Sequence, residues 1–200
     1  MIARSLALLT RLLTGGTPRW RGCLPEEQQR VYFANHTSNL DLVLLWSALP
    51  TSLRQKTRPI GARDYWSTGL KGFLARRVFR AVLIERRQVS RTSNPMAPML
   101  DALAAGDSLI IFPEGTRNPG PDVGEFKSGL YHLARSHPAA TFVPVFIENL
   151  SRVLPKGEVL PVPVLCSVHF GTPVSLEPGE SHDSFLTKAR NSVIALQSPS

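Results

Sequence analysis

The chain reads as a single α/β domain, a mixed but mainly parallel sheet flanked by helices. Three observations predict it. Short apolar runs recur at 31–34, 81–84, 108–112 and 141–147, the pattern of strands buried on both faces. Stretches of helical periodicity separate most of these runs, and strands alternating with helices mark a sheet built through crossover connections. The 200 residues suffice for one domain with a core and are few for two.

The elements follow in order. Ile2, Leu6, Leu9 and Leu13 recur at helical spacing, interrupted by Arg4 and Arg11. This stretch is too short and too charged to span a bilayer, which needs roughly 20 apolar residues. It also lacks the small-residue cleavage site of a signal peptide. Two readings stay open for it: a helix lying in a membrane interface, or one packed on the domain's own core. Residues 1–24 are therefore set apart as an amphipathic, membrane-associating segment and 25–200 as the domain, with its motif-bearing core at 30–149.

A strand at 31–34 leads into Asn35-His36, and a helix over 40–49 is stopped by Pro50. Ser38 with Asp41 three residues later has the form of a capping box at that helix's start. A second short strand is expected at 60–61, a helix over 64–80 and a strand at 81–84. A helix over 96–105 closes at Gly106, and the strand at 108–112 runs into Pro113-Glu114-Gly115-Thr116-Arg117. A loop at 120–124, a helix over 126–136 and a strand at 141–147 come next. Residues 155–163 form the longest surface loop, 162–170 a further strand and 184–196 a closing helix.

Composition narrows the function classes. Apolar residues at 42% against charged residues at 19% exclude a disordered chain. Lys and Arg outnumber Asp and Glu by 23 to 15, a net charge of +8, which favours an anionic partner: nucleic acid, an acidic lipid surface or a phosphorylated substrate. Zinc spacing, RNP-like aromatics and helix-turn-helix signals are missing, which weighs against nucleic acid. Cys23 and Cys166 stand far apart, so a disulfide scaffold or structural zinc is not expected and a reducing compartment fits.

Polar residues just beyond the carboxyl ends of strands are the usual site-builders in such a sheet. Here they are His36 and Asp41, then Arg86, then Glu114 and Arg117. Histidine changes protonation near neutral pH and serves as a general base for a hydroxyl. A carboxylate on its other ring nitrogen fixes the tautomer. Five residues along a continuous helix would set Asp41 about 140° away from His36, so the pair requires His36 in the turn before the helix and Asp41 in its first turn. The plainer alternative has Asp41 as a helix cap and His36 on a surface turn.

Gly115 permits a tight path after Glu114, and Arg117 offers a planar fork suited to phosphate. The alternative there is a Glu–Arg pair on an ordinary turn. Arg86 among Arg87 and Arg91 could equally be a solvated charge. Lys127 at a helix start opposes the helix dipole and so favours a bound anion.

Asn35-His36-Thr37-Ser38-Asn39-Leu40-Asp41 followed by Phe112-Pro113-Glu114-Gly115-Thr116-Arg117 resembles the glycerolipid acyltransferase family, whose best-known members are lysophosphatidic acid acyltransferases. Val82-Leu83-Ile84-Glu85-Arg86 is similar to the family's middle motif, and Val143-Pro144-Val145-Phe146-Ile147 to its last. Phe126-Lys127-Ser128-Gly129 looks like the segment after the Glu-Gly loop. The resemblance implies an acyltransferase-type fold with His36 as general base and Asp41 orienting it. Arg86, Glu114, Gly115, Thr116, Arg117 and Lys127 would hold a glycerol-phosphate head. It further implies acyl-CoA or acyl-carrier protein as co-substrate, no metal or other cofactor, and a lysophospholipid acceptor reached on an anionic membrane surface. Nucleic acid is not an expected partner. The expected location is the cytoplasmic face of the membrane, peripheral or monotopic, with no spanning segment.

The expected reaction moves a fatty acyl group from the thioester to the free hydroxyl of a lysophosphatidic acid-like acceptor, giving phosphatidic acid. Departures from the family pattern bear mainly on the acceptor. Glu85 stands where Asp is frequent, Ala81 where glycine is usual, and Gly61-Ala62-Arg63-Asp64-Tyr65-Trp66 where a Lys-Glu-Leu type of segment is common. Another lysophospholipid, an amino-acid lipid or another membrane alcohol is the alternative acceptor, and a lipid-binding module with an inactive site the alternative to an enzyme.

Overall fold

The computed structural model describes residues 2–85, 95–118, 120, 122–150 and 165–197. Seven strands form one sheet: β1 (Thr17–Trp20), β2 (Arg30–Ala34), β3 (Thr57–Ala62), β4 (Val82–Ile84), β5 (Ser108–Ile111), β6 (Thr141–Glu148) and β7 (Ser167–Phe170). Their order is β1-β7-β6-β2-β5-β3-β4, and every pair is parallel except β6 with β7. The helices are α1 (Ile2–Thr14), α2 (Asp41–Ala48), α3 (Thr51–Gln55), α4 (Arg63–Trp66), α5 (Gly69–Phe73), α6 (Ala97–Ala104), α7 (Gly129–Ser136) and α8 (His182–Ile194). The mixed, mainly parallel sheet agrees with the architecture expected from the sequence.

β2 shows why the sheet sits where it does. All five of its residues are buried, and they alternate between two cores. Tyr32 and Ala34 pack with α2 and Ala7 of α1 on one face, while Val31 and Phe33 pack with α6, α7 and α8 on the other. A strand buried on both faces has no polar side to show, which explains its unbroken apolar run.

The connections on either side of β2 and β5 diverge. From β2 the chain passes over β5 to reach β3, and from β5 it passes over β2 to reach β6. Such a divergence leaves a crevice at the carboxyl ends of the two strands.

Asn35, one residue past β2, continues the pairing with its side chain. Its Oδ1 accepts the Ile147 N–H at 2.8 Å and its Nδ2 donates to the Ile147 carbonyl at 3.1 Å. The buried amide thus stands in for a strand residue and delivers the chain into the turn at His36.

Several elements differ from expectation. β1 has little strand signal, because Thr17, Pro18 and Arg19 are exposed and a proline, lacking an N–H, marks no strand by itself. It pairs with β7, and Trp20 stacks on Phe170 with ring centroids 3.9 Å apart. Residues 1–24 are therefore continuous with the sheet. The helix expected over 64–80 is broken into α4, α5 and a π-helical turn, Leu74–Val78. Gly69, at φ 58°, turns the chain between α4 and α5, and Arg80, at φ 52°, ends the segment. α7 starts at Gly129 instead of 126. The strand expected over 162–170 is described only as β7, and 155–163 lies outside the described residues.

Helix α1 packs one side on the domain and leaves an apolar side exposed. Ala7, Thr10 and Thr14 are buried, and Arg11 Nε donates to the Ser47 carbonyl of α2 at 2.9 Å. The chain then passes so close to α2 that a Cβ on Gly16 would meet Leu44 at 2.4 Å. Ile2, Leu8, Leu9, Leu12 and Leu13 remain exposed. No described helix is long and apolar enough to cross a membrane.

Asn35→Ala leaves the buried N–H and carbonyl of Ile147 without their partners. A loss of about 1–3 kcal/mol per unsatisfied group is expected, read as a lower urea midpoint at unchanged m-value.

Candidate active site

The turn after β2 is held by one buried carboxylate. Asp41 is fully buried at the start of α2, and its Oδ2 accepts three hydrogen bonds: from the Thr37 N–H at 2.6 Å, the Ser38 N–H at 2.8 Å and His36 Nδ1 at 2.8 Å. An ionised carboxylate only accepts, so this pairing puts the proton on Nδ1 and leaves Nε2 for a substrate. Ser38 Oγ accepts the Leu40 N–H at 3.3 Å. Half of the expected capping box is present, Asp41 taking the Ser38 N–H while the Asp41 N–H goes to the Ser38 carbonyl, and the helix proper has Leu40 as its N-cap. This settles the geometric question raised by the five-residue spacing: His36 lies in the turn and Asp41 in the first turn of α2.

The His36 ring is flattened against Phe112 at the end of β5, centroids 4.4 Å apart and planes at 23°. Its backbone N–H donates to Glu114 Oε1 at 2.8 Å, and its carbonyl accepts the Asn118 N–H at 2.7 Å. Three contacts from the β5 loop therefore fix the residue that Asp41 orients.

Glu114 plays a different part from the one expected. It is 6% exposed; Oε1 takes the His36 N–H and Oε2 the Gly124 N–H at 3.1 Å. Burial raises its pKa, partly countered by those two N–H donors. The reason lies in the fold: the N–H groups of His36 and Gly124 lie beyond the strands, and Glu114 satisfies both. Gly124 must be glycine for this contact, since a Cβ there would sit 2.6 Å from Glu114 Oε2.

A cavity of about 730 Å³ lies against this turn. His36, Thr116, Arg117 and Lys127 line it together with an apolar wall that includes Ile60, Trp66, Ile84, Met96, Met99 and Leu130. Gly115 also lines it, at φ 72°, and a Cβ there would meet Lys127 Nζ at 2.9 Å. Glu114 is not among the lining residues. Lys127 precedes α7 by two residues, its N–H bonded to the Pro113 carbonyl at 2.8 Å. The structure thus brings His36, Gly115, Thr116, Arg117 and Lys127 to one cavity, with Asp41 and Glu114 behind them. Arg86 lies outside the described residues.

Four features escaped the sequence reading: the Asn35 clamp, the Phe112 stack, the Gly124 contact and the apolar wall drawn from β3, α4, β4, α6 and α7. Asn35 and Phe112 adjoin the motifs and could have been suspected from that. The wall carries no sequence signal, because its members read simply as core.

The cavity combines a His–Asp pair at its edge, two cations and an apolar wall. The sequence profile of the family described as Acyltransferase matches residues 21–148, and the chain belongs to this family. It is similar to mouse 1-acyl-sn-glycerol-3-phosphate acyltransferase alpha, 31% identical over 183 residues, covering 88% of this chain and 61% of that protein. It is also similar to the lyso-ornithine lipid O-acyltransferase of Brucella abortus, 32% identical over 124 residues, covering 62% of this chain and 44% of that one. The chain thus spans less than two thirds of these curated relatives' length. The crystal structure of the 1-acyl-sn-glycerophosphate (LPA) acyltransferase PlsC from Thermotoga maritima superposes with a TM-score of 0.75 at 18% identity, over 98% of this chain and 78% of that one. That likeness shows the shared fold.

Glu114→Gln replaces one acceptor oxygen with an amide that faces a backbone N–H. We expect acyl-transfer kcat to fall by about 10²-fold, as misplacement of a catalytic group by about 1 Å does, with the KM for the acceptor changing far less. Steady-state kinetics on the folded variant checks this split.

Proposed function

We propose that the chain transfers a fatty acyl group from an acyl thioester to the free hydroxyl of a lysophosphatidic acid-like acceptor, giving phosphatidic acid. The observation that carries this reading is the placement of the His36–Asp41 pair on a cavity that holds both an apolar wall and the cations Arg117 and Lys127. An acyl chain needs the first and a phosphomonoester the second.

In this scheme His36 Nε2 removes the proton of the acceptor hydroxyl as its oxygen attacks the thioester carbonyl. Asp41 stabilises the imidazolium that forms. Collapse of the tetrahedral intermediate breaks the carbon–sulfur bond, and the imidazolium returns the proton to the leaving thiolate. Oxygen is acylated, sulfur is released as thiol, and His36 ends as it began. Glu114 holds the turn, while Gly115 and Thr116 shape the wall beside Arg117 and Lys127. Arg86 joins the head-group set by family resemblance. Acyl-CoA and acyl-carrier protein both fit the role of donor, and the scheme needs no other cofactor.

The +8 charge and the exposed leucines of α1 support work at an anionic membrane surface. We place the protein peripherally on the cytoplasmic face.

A second acceptor class has one observation in its favour. Asp64 and Tyr65, from the segment that departs from the family pattern, line the cavity, and Tyr65 Oη donates to Asn39 Oδ1 at 3.0 Å. A carboxylate there suits an acceptor bearing an amine, in keeping with the similarity to the lyso-ornithine lipid enzyme.

A matrix of donors and acceptors with product lipids identified decides between these. Preference for a phosphomonoester head supports the first reading; indifference to it removes that reading. Within the same assay, His36→Ala should lower the rate by about 10²–10⁴-fold. Arg117→Ala and Lys127→Ala should each raise the acceptor KM by about tenfold, the loss of one charge-assisted hydrogen bond.

A further inference from the structure

Away from the His36 cavity, α1, α2, α3 and the turn before β4 enclose a smaller space of about 150 Å³. Its walls carry three arginines, Arg4, Arg54 and Arg80, with Trp46 and Thr51, and no carboxylate among the described lining residues.

The charges there are poorly answered. Arg80 shares Asp107 with Arg58. Arg54, 8% exposed, reaches only neutral oxygens: Nη2 donates to Thr51 Oγ1 at 3.2 Å and Nη1 to the Ser47 carbonyl at 3.5 Å. Its guanidinium lies over the Trp46 ring at 5.0 Å. Burial depresses the Arg54 pKa, and Arg11 and then Arg4 add repulsion. No ion-pair partner for Arg4 occurs among the described residues.

The second, independent feature is Trp46. It is 3% exposed, lines the space, and its indole Nε1–H has no partner among the described residues. Buried donors of this kind are rare and call for an acceptor. Part of the cluster has a structural task, since Arg11 and Arg54 both cover the last carbonyls of α2. That task leaves Arg4 and the Trp46 N–H unused.

We propose that this space is a second binding site, separate from the catalytic cavity, for a phosphate-type oxyanion. Arg4 and Arg54 supply the charge and Trp46 Nε1–H a hydrogen bond, a donor set suited to phosphate oxygens. The phosphate of an anionic lipid and free inorganic phosphate share this chemistry. Lipid-borne phosphate has the better placement, because Leu8 and Leu12 follow Arg4 in steps of four along α1 and are 61% and 73% exposed. The site does not depend on the catalytic reading.

The chain's three tryptophans separate the possibilities. Trp46 lines this space, Trp66 lines the catalytic cavity, and Trp20 lines neither. The full chain, labelled with ¹⁵N-tryptophan, is titrated with inorganic phosphate and, in a second arm, with phosphatidylcholine nanodiscs with and without phosphatidylglycerol. The expected result is a saturable shift of the Trp46 indole resonance that weakens at least tenfold in Arg4→Gln and in Arg54→Gln, while any Trp66 response is retained. A shift with phosphate assigns the free anion as a ligand, and a shift only with phosphatidylglycerol discs assigns the lipid. A still Trp46 in both arms, a response confined to Trp66, or an unchanged Trp46 affinity in both arginine variants overturns the proposal. Arg4 is exposed, so Arg4→Gln keeps the test available if Arg54→Gln does not fold.

Discussion

The carboxylate of Asp41 ties together the features on which the site depends. One of its oxygens takes the N–H groups of Thr37 and Ser38 and the Nδ1 proton of His36, so the turn, the helix start and the imidazole tautomer share a single anchor. Because the group is fully buried, each of these donors replaces a water that the carboxylate lost on folding. The helix that carries Asp41 is itself held by an apolar face of Leu44, Leu45 and Trp46. Ordering of His36 is therefore supported by α2 packing and not by the polar contacts alone.

Glu114 repeats the arrangement from the neighbouring strand. It binds the His36 N–H with one oxygen and the Gly124 N–H with the other, joining the β2 turn to the loop ahead of α7. Two buried carboxylates, one at the start of α2 and one in the loop after β5, thus clamp one histidine from opposite ends of its residue. This is possible because the divergence of connections at β2 and β5 leaves their carboxyl ends uncovered. The same opening lets β3, α4, β4, α6 and α7 form the apolar wall. A shared cavity follows for groups with contrary solvent preferences, the cation pair Arg117 and Lys127 and the apolar wall.

Helix α1 shows small and large side chains dividing the labour. Alanine and threonine permit close approach to α2, where Arg11 reaches the carbonyls of Ser47 and Ala48. Leu6 packs beside them against the core, while Leu8, Leu9, Leu12 and Leu13 are left outward. A hydrophobic pattern alone does not show which of these leucines the interior admits.

The strands at 31–34, 108–112 and 141–147 and the closing helix were legible from sequence because their apolar periodicity is strong and local. So was the pairing of His36 with Asp41, since a strand end, a turn and a helix start within seven residues allow little other geometry. Edge strand β1 was not legible, because an exposed edge requires no apolar pattern. Nor was the break at Gly69, where periodicity continues on both sides of a residue with positive φ. What sequence by itself determined is the α/β class, the family and most of the polar residues that gather at the cavity. Tertiary structure alone decided that Glu114 braces His36 instead of facing the cavity, and that core-like residues from five separate elements form one apolar wall. The physical reason is that burial, and the direction in which a carboxylate finds its donors, depend on which distant backbone N–H groups the fold leaves unpaired.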